Sequence, residues 1–430
     1  MAADRGALAG VDATGGVLFG RKVGLVGGVS AVRAEDVLAH RLDNNPILTS
    51  ADVAPSQAAL EVVSVFNAAA ARVGDETILL LRVAERPRGM TGLLAPTARI
   101  LDLDAPHERL APVPPGTMGE DVIGIAFLDP ATEPPRVVVA YVRKDLPGLD
   151  VSDPRSIQVT KPPSNPGARG EVRDYLTQIS HLRVARSTDG AHFVVDQLPA
   201  VAPADSFEEY GCEDPRATLI DGVWHITYVS VGSVGITTSR LTTTDFRSFE
   251  RRGLMFLPDH KDVVLFPGRV QDRYVALTRP MPASFNRVLG IWIAFSDDLV
   301  GWGGHRPLAL PRPGMWDGVR TGAGTVPFRV DEGWLELYHG VDSEGRYAMG
   351  GLLLDPEDPA RVIARSPEPI LTPEHDYEQS GFYRNIVFSC GHVSLDETGS
   401  RIRMYYGGAD SCLAAADFDV KEILASLASC

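Results

Sequence analysis

The chain has 430 residues, 44% of them apolar and 23% charged, an ordinary globular balance that excludes whole-chain disorder and a coiled coil. Its 41 Lys and Arg against 56 Asp and Glu leave a net charge of −15, so it lacks the general basic face that a nucleic-acid backbone demands. Gly (42) and Pro (32) are frequent, which favours many short strands over long helices.

Residues 1–40 read as an N-terminal extension without an assigned element. Met1 to Gly20 has no basic stretch followed by an apolar one, so the expectation is no signal peptide and a cytoplasmic protein. The charge-free stretch from Gly222 to Ser239 is rich in Ser, Thr and Gly and is no membrane span. Cys212, Cys390, Cys412 and Cys430 form no C-x-x-C pair, and no metal-ligand spacing stands out.

From residue 41 onward the chain repeats itself. Five times a short apolar or Pro-bearing segment leads through a tight polar turn into a β-rich run. The turns are Gly74-Asp75, Asp221-Gly222, Gln271-Asp272, Glu332-Gly333 and Thr398-Gly399. The runs after them begin near Ile78, Trp224, Tyr274, Trp334 and Ile402. A second repeat runs in phase: in Ser187-Thr188-Asp189, Thr243-Thr244-Asp245 and Ser296-Asp297-Asp298 the last Asp precedes an aromatic residue by four (Phe193, Phe249, Trp302). A period near 55 residues, with several strands per unit, predicts an all-β fold, a five-bladed β-propeller over residues 41–430.

The first two turns are too far apart for one blade. Residues 86–176 therefore read as a long insertion in or after the first blade: outer strands of that blade (122–128 and 136–142 among them) together with elaborated loops such as Pro162 to Gly167. At the end of the chain, Val420, Ile423, Leu424 and Leu427 share one helical face behind Asp417 or Asp419, which predicts a docked C-terminal helix.

In a propeller the first strand of every blade approaches a central axis. That places Asn67, Arg82, Asp214, Arg216, Lys261, Arg279, His339 and Asp410 near one another. Taken singly each has a bland reading: an Asp beside an Arg is a turn or ion pair, and Lys261-Asp262 is a solvated charge pair. Their recurrence at equivalent places in the repeat argues for a site.

The run Glu213-Asp214-Pro215-Arg216 resembles the signature of glycoside hydrolase family 130, the β-mannoside phosphorylases and related mannosidases. Further segments are similar to that family in the same order: Asn45-Pro46-Ile47-Leu48, Phe66-Asn67, Lys261-Asp262-Val263-Val264-Leu265-Phe266-Pro267, Leu277-Thr278-Arg279-Pro280, Tyr338-His339-Gly340 and Gly407-Gly408-Ala409-Asp410. The resemblance implies that Asp214 is the catalytic acid, its proton relayed through a sugar hydroxyl. Asn67, Arg82 and Asp410 then hold the reacting mannose. Lys261, Arg279 and His339, with Arg320 and Tyr338, make a cationic phosphate pocket.

The resemblance also implies inverting phosphorolysis of β-mannosides to α-mannose 1-phosphate and a shortened acceptor sugar. The partners are the mannoside and inorganic phosphate as co-substrate, with no cofactor, metal, nucleic acid or membrane; a homo-oligomer stays open. Some phosphorylases carry Ser after the Asn of the Phe-Asn motif, where this chain has Ala68, so one phosphate hydrogen bond is expected to be missing. Two rivals stand beside this reading. A β-mannosidase would need a carboxylate base such as Glu213, Asp262 or Glu378 to activate water. A non-catalytic glycan-binding propeller would need neither the acid nor the cations.

Overall fold

The computed structural model describes residues 38–102, 110–129, 132–161, 171–282 and 286–430. The extension up to residue 37 and the loop Pro162 to Gly167 lie outside the described residues. Strands dominate, and the described helices are short.

Five antiparallel meanders follow one another along the chain. The first pairs Leu60–Val73, Glu76–Pro87 and Ile179–Ser187, with Val194–Val195 at its edge. The second runs Gly211–Ile220, Val223–Gly232, Gly235–Thr243 and Glu250–Phe256. The third runs His260–Val270, Arg273–Pro280, Ile291–Ser296 and Gly303–Ala309. In the fourth, Gly333–Val341 pairs with Tyr347–Leu354, which pairs with Val362–Arg365; Arg320–Gly322 and Phe328–Val330 share its first edge. The fifth runs Val387–Ser394, Arg401–Gly408 and Cys412–Asp419.

The turns follow their residue chemistry. Asp221 and Gly222 both take positive φ (50° and 79°), as do Gln271 and Asp272 (49° and 64°), the backbone a two-residue hairpin needs to match strand twist. The second repeat is a recurring polar turn. The Asp189 carboxylate accepts from the backbone N–H of Ala191 and His192 at 2.8 Å each. Asp245 and Asp298 do the same for Arg247 and Ser248, and for Val300 and Gly301. Burial of alternate residues then joins the units, as where Val264, Phe266 and Leu277 share a core cluster with Tyr338 and Leu352.

Two differences from the sequence reading stand out. Residues 86–176 do not supply outer strands of the first meander, whose edge is Val194–Val195. They form two small sheets instead. One holds Arg99–Leu101, Leu110–Pro112, Val122–Asp129 and Arg136–Arg143; the other holds Leu149–Asp150, Ser156–Lys161 and Glu171–Leu176. Ile125, Ala140, Val142, Ile157, Val159 and Tyr175 give this insertion a core of its own, which is why its strands pair with each other.

The second difference is at the start of the described chain. His40–Arg41 is the outer strand of the fifth meander, pairing with Asp417 and Ala416, so the start of the described chain closes onto its last meander, while Ala428–Ser429 edges the fourth. Beyond it the helix Val420–Ser426 forms where its periodicity predicts. Asp419 caps it by accepting from the N–H of Lys421 and Glu422 (2.8 and 3.2 Å), and Val420 and Ile423 are buried.

Arg41 locks this closure. Its Nε donates to Glu378 Oε1 at 2.8 Å and its Nη2 to Glu378 Oε2 at 3.1 Å and the Thr372 carbonyl at 2.6 Å. Glu378 is fully buried, so it cannot replace the guanidinium with water. Arg41→Ala is therefore expected to cost about 3–5 kcal/mol in urea unfolding, with Arg41→Lys recovering part of the loss. An unchanged unfolding midpoint in Arg41→Ala would show that the closure carries no stability.

Candidate active site

Asn67, Asp214 and Asp262 occupy the same point of three successive meanders. Each lies inside a first strand, where pairing shifts register: between Phe66 and Ala69, Glu213 and Arg216, and Lys261 and Val264. Each adopts left-handed backbone, with φ of 46°, 47° and 53°. A bulge re-aims a side chain, and Asn and Asp tolerate this backbone better than other residues with a side chain. The three bulges face a common polar centre.

Its first half is built around Asp214. The Asp214 Oδ1 accepts from Asn67 Nδ2 at 2.9 Å and Arg82 Nη1 at 3.0 Å. Arg82 also donates to Glu213 Oε1 at 2.7 Å and Ser180 Oγ at 3.2 Å, and its guanidinium lies 4.6 Å over the Phe66 ring. On its other oxygen Glu213 receives the Lys261 ammonium at 3.4 Å. Gly407 leaves room for this group, since a Cβ there would run into Asn67 Oδ1.

The second half is built around Asp262. Arg279 Nε donates to Asp262 Oδ2 at 2.6 Å, and Arg216 Nη2 reaches Asp262 Oδ1 at 3.3 Å. His339 Nε2 stands 3.6 Å from Asp262 Oδ2, and Gly322 permits this approach because a Cβ would meet both side chains. Arg216 joins the halves, donating to the Asp214 carbonyl at 3.0 Å, to Gly324 O at 3.0 Å and to Ala323 O at 2.9 Å. Below it, the fully buried Glu336 accepts from the Gly324 N–H at 2.8 Å; burial pushes its carboxyl well above the usual range despite Arg216.

The charges are unequal in their effects. Burial alone would raise the Asp214 carboxyl, but Arg82, Lys261 and the Asn67 hydrogen bond outweigh it and hold the group below its ordinary value. Asp262 is likewise held anionic against its burial by Arg279 and Arg216. Half-buried Asp410, with φ of 50°, goes the other way. Burial and the nearby Asp214 and Glu213 push it up to about 6, against the pull of Arg82 and Arg155.

His339 is pressed down to about 3 by burial and by Arg279, Arg216 and Arg320, with Asp262 opposing. At neutral pH it is a neutral imidazole. It offers a hydrogen bond and no charge, which corrects its expected place among the cations. Arg320 donates to the Tyr347 hydroxyl at 2.5 Å, and the Tyr347 ring stacks on His339 at 6.0 Å.

One expected residue is not brought in. Tyr338 alternates with His339 along its strand, so its hydroxyl points to the other face. There it donates to Asp317 Oδ2 at 2.8 Å and accepts from Arg365 Nε at 2.9 Å. Ala68 is fully buried in an apolar cluster with Leu81 and Tyr405. Ser180, Tyr347 and the insertion's Arg155 were not singled out by the sequence; Glu213 and Asp262 were reached there as candidate bases, and of the two Asp262 repeats the bulge of Asn67 and Asp214.

Several donors are left over. The two terminal amino groups of Arg279 have no hydrogen bond among the described residues, and Lys261 makes one long one. Among the described residues no group of three or more His, Cys, Asp and Glu is placed to hold a metal ion, and no helix is long and apolar enough to cross a membrane.

An acid beside unspent Arg and Lys donors, in a strand-built polar centre, is the chemistry of a carbohydrate-active enzyme that handles an anion. The comparisons give the family. A family model described as beta-1,4-mannooligosaccharide phosphorylase, that of glycoside hydrolase family 130, matches residues 170–429. The chain is 38% identical over 388 residues to a beta-1,2-mannobiose phosphorylase of Listeria innocua, covering 90% of this chain and 98% of that one. It is 39% identical over 257 residues to a 1,2-beta-oligomannan phosphorylase of Thermoanaerobacter, 59% of this chain and 83% of the relative. The solved complex of the Listeria innocua phosphorylase with beta-1,2-mannobiose superposes with a TM-score of 0.76 at 35% identity, over 90% of this chain and 98% of that chain. The chain belongs to glycoside hydrolase family 130, as its motifs indicate, and is a β-mannoside phosphorylase of that family.

The Asp410 shift has a consequence for stability. Between its ordinary 3.8 and about 6 the native state holds a proton that the unfolded chain has released, so unfolding free energy falls as pH rises through that window. Asp410→Asn removes this loss. The melting temperature of the variant relative to the parent should therefore climb from pH 4 to pH 7 in differential scanning fluorimetry. A pH-independent difference would place Asp410 at an ordinary carboxyl value.

Proposed function

We propose that the chain catalyses inverting phosphorolysis of a β-1,2-linked mannobiose, giving α-mannose 1-phosphate and mannose. The β-1,2 linkage is taken from the relative that matches over nearly its whole length. The observation that carries phosphorolysis is the pair of terminal amino groups on Arg279 with no hydrogen bond among the described residues, in the half of the centre built around Asp262, together with the loosely held Lys261 ammonium, whose charge acts on both Asp214 and Asp262. A guanidinium fork binds two phosphate oxygens, and an ammonium adds a point charge.

In this reading Asn67, Arg82 and Asp410 orient the mannosyl ring, and Asp214 supplies the proton that the leaving oxygen takes as the glycosidic bond breaks. Arg279, Lys261 and Arg320 hold phosphate, with His339 as a neutral donor. One phosphate oxygen attacks the anomeric carbon from the opposite face, which inverts it. Asp214 is anionic in the free protein. A phosphate dianion entering beside Lys261 offsets the charge that keeps it so and favours its protonated form. Tyr338 sets the strand that carries His339 and takes no part in binding.

Hydrolysis would need a carboxylate free to activate water, and the three candidates are each engaged. Glu213 is held by Arg82 and Lys261, Asp262 by Arg279 and Arg216, and Glu378 by Arg41. A phosphate nucleophile arrives already anionic and asks for no base. We also infer that the five meanders stand as blades of a propeller around this centre. Contacts between their first strands support it: Leu60–Val73 touches both Gly211–Ile220 and Val387–Ser394, and Gly211–Ile220 touches His260–Val270.

The test is to incubate the protein with β-1,2-mannobiose with and without phosphate and identify the sugar product. α-Mannose 1-phosphate is expected only with phosphate; equal release of free mannose in both would overturn the reading. Asp214→Asn should lower kcat by about 10²–10⁴. Arg279→Ala should raise the KM for phosphate by about tenfold or more and lower kcat, because its contacts strengthen as charge moves in the transition state.

A further inference from the structure

The insertion over residues 86–176 reaches the mouth of the active site through one short segment. Between Leu149–Asp150 and Ser156–Lys161 the chain turns at Asp153, Pro154 and Arg155. Thr177 ties that turn down, its N–H donating to Arg155 O at 2.9 Å and its hydroxyl to Pro154 O at 2.8 Å. The far side is latched to Tyr383, whose hydroxyl donates to Asp153 Oδ1 at 2.6 Å. The Arg155 guanidinium lies flat, 4.6 Å from the Tyr383 ring centroid, with Nε and Nη2 spent on Asp153.

Tyr383 sits at the active site. Its N–H donates to Ala409 O at 3.0 Å, one residue before Asp410. Arg155 is near enough for its charge to pull the Asp410 carboxyl down and to feel Tyr347, which stacks on His339. Burial falls steadily from the floor of the centre to this point. Asp262 and Arg279 are almost fully enclosed, Asp410 and Tyr383 are half-buried, and the Arg155 side chain is 58% exposed. Its Nη1 has no hydrogen bond among the described residues.

We infer that Arg155 binds the leaving sugar: the Asp153–Tyr383 latch presents the free edge of its guanidinium to a hydroxyl of the acceptor mannose. This rests on the phosphorolytic reading. Inversion puts the attacking phosphate and the departing oxygen on opposite faces of the anomeric carbon. The phosphate donor Arg279 belongs to the enclosed end, so the acceptor departs toward the mouth, where the exposed Arg155 offers a donor. A guanidinium already stacked and half bonded loses little freedom on making one more hydrogen bond, which suits it to select a neutral polyol. The insertion thus contributes to acceptor choice and leaves bond cleavage to the meanders.

The test uses the full chain in the synthetic direction, with α-mannose 1-phosphate as donor and mannose as acceptor. Arg155→Ala should raise the KM for mannose by about tenfold or more, while the KM values for α-mannose 1-phosphate and, in the forward direction, for phosphate stay within about twofold. Tyr383→Phe, which keeps the ring and removes the latch, should raise the acceptor KM by a smaller factor. Arg155 is exposed, so its variant is expected to melt with the parent. An unchanged acceptor KM, or an equal rise in the phosphate KM, would overturn the inference. If the parent makes no phosphate-dependent product, the phosphorolytic reading fails instead, and the role of Arg155 is decided by the KM for mannobiose hydrolysis: unchanged in Arg155→Ala, it overturns the inference; raised, it upholds a sugar contact.

Discussion

Everything at this site depends on a backbone constraint repeated three times. Asn67, Asp214 and Asp262 each sit in left-handed backbone at a break in strand pairing, a conformation that costs on the order of 1–3 kcal/mol for a residue with a side chain. The surrounding structure over-determines it. Asn67 is bonded to Asp214, the Asp214 carbonyl to Arg216, and Arg216 to Asp262. The strain is held by a chain of buried hydrogen bonds that runs from one meander to the next, so the site and the assembly of the sheets support each other.

The electrostatics follow from that geometry. Four carboxyl groups and at least four basic side chains share a mostly enclosed volume, although the protein as a whole carries a charge of −15. Attraction for an anion is therefore a local property. Asp262 fixes one edge of Arg279 and leaves the other free; Glu213 does the same for Lys261 more loosely. The carboxylates thereby aim the cations without exhausting them. The same crowding separates two acids, with Asp214 held down by Arg82 and Lys261 and Asp410 pushed up by burial.

The insertion shows a division of labour. Its two sheets have their own apolar core, so it keeps its shape without borrowing strands from the first meander. A body of that kind holds the Asp153–Arg155 turn in place while the meanders hold the reacting groups. Variation in the insertion can then alter what enters without disturbing Asp214.

Local chemistry in the sequence determined the turns, the strand runs, the capped helix Val420–Ser426 and the five-unit repeat, because each depends on neighbours within a few residues. Motif spacing also singled out Asp214, Asn67, Arg82, Lys261, Arg279, His339 and Asp410. Only the tertiary structure decided how those residues behave. That His339 is neutral depends on burial and on Arg279, Arg216 and Arg320, which come from three other stretches of chain. That Tyr338 faces away depends on which side of Gly333–Val341 meets the centre, a choice made by packing against Asp317 and Arg365. The insertion's separate sheets, the return of His40–Arg41 to the last meander and the reach of Arg155 to Tyr383 are pairings between distant segments. No local periodicity encodes such partners, because the free energy that selects them is released only when the surfaces are buried together.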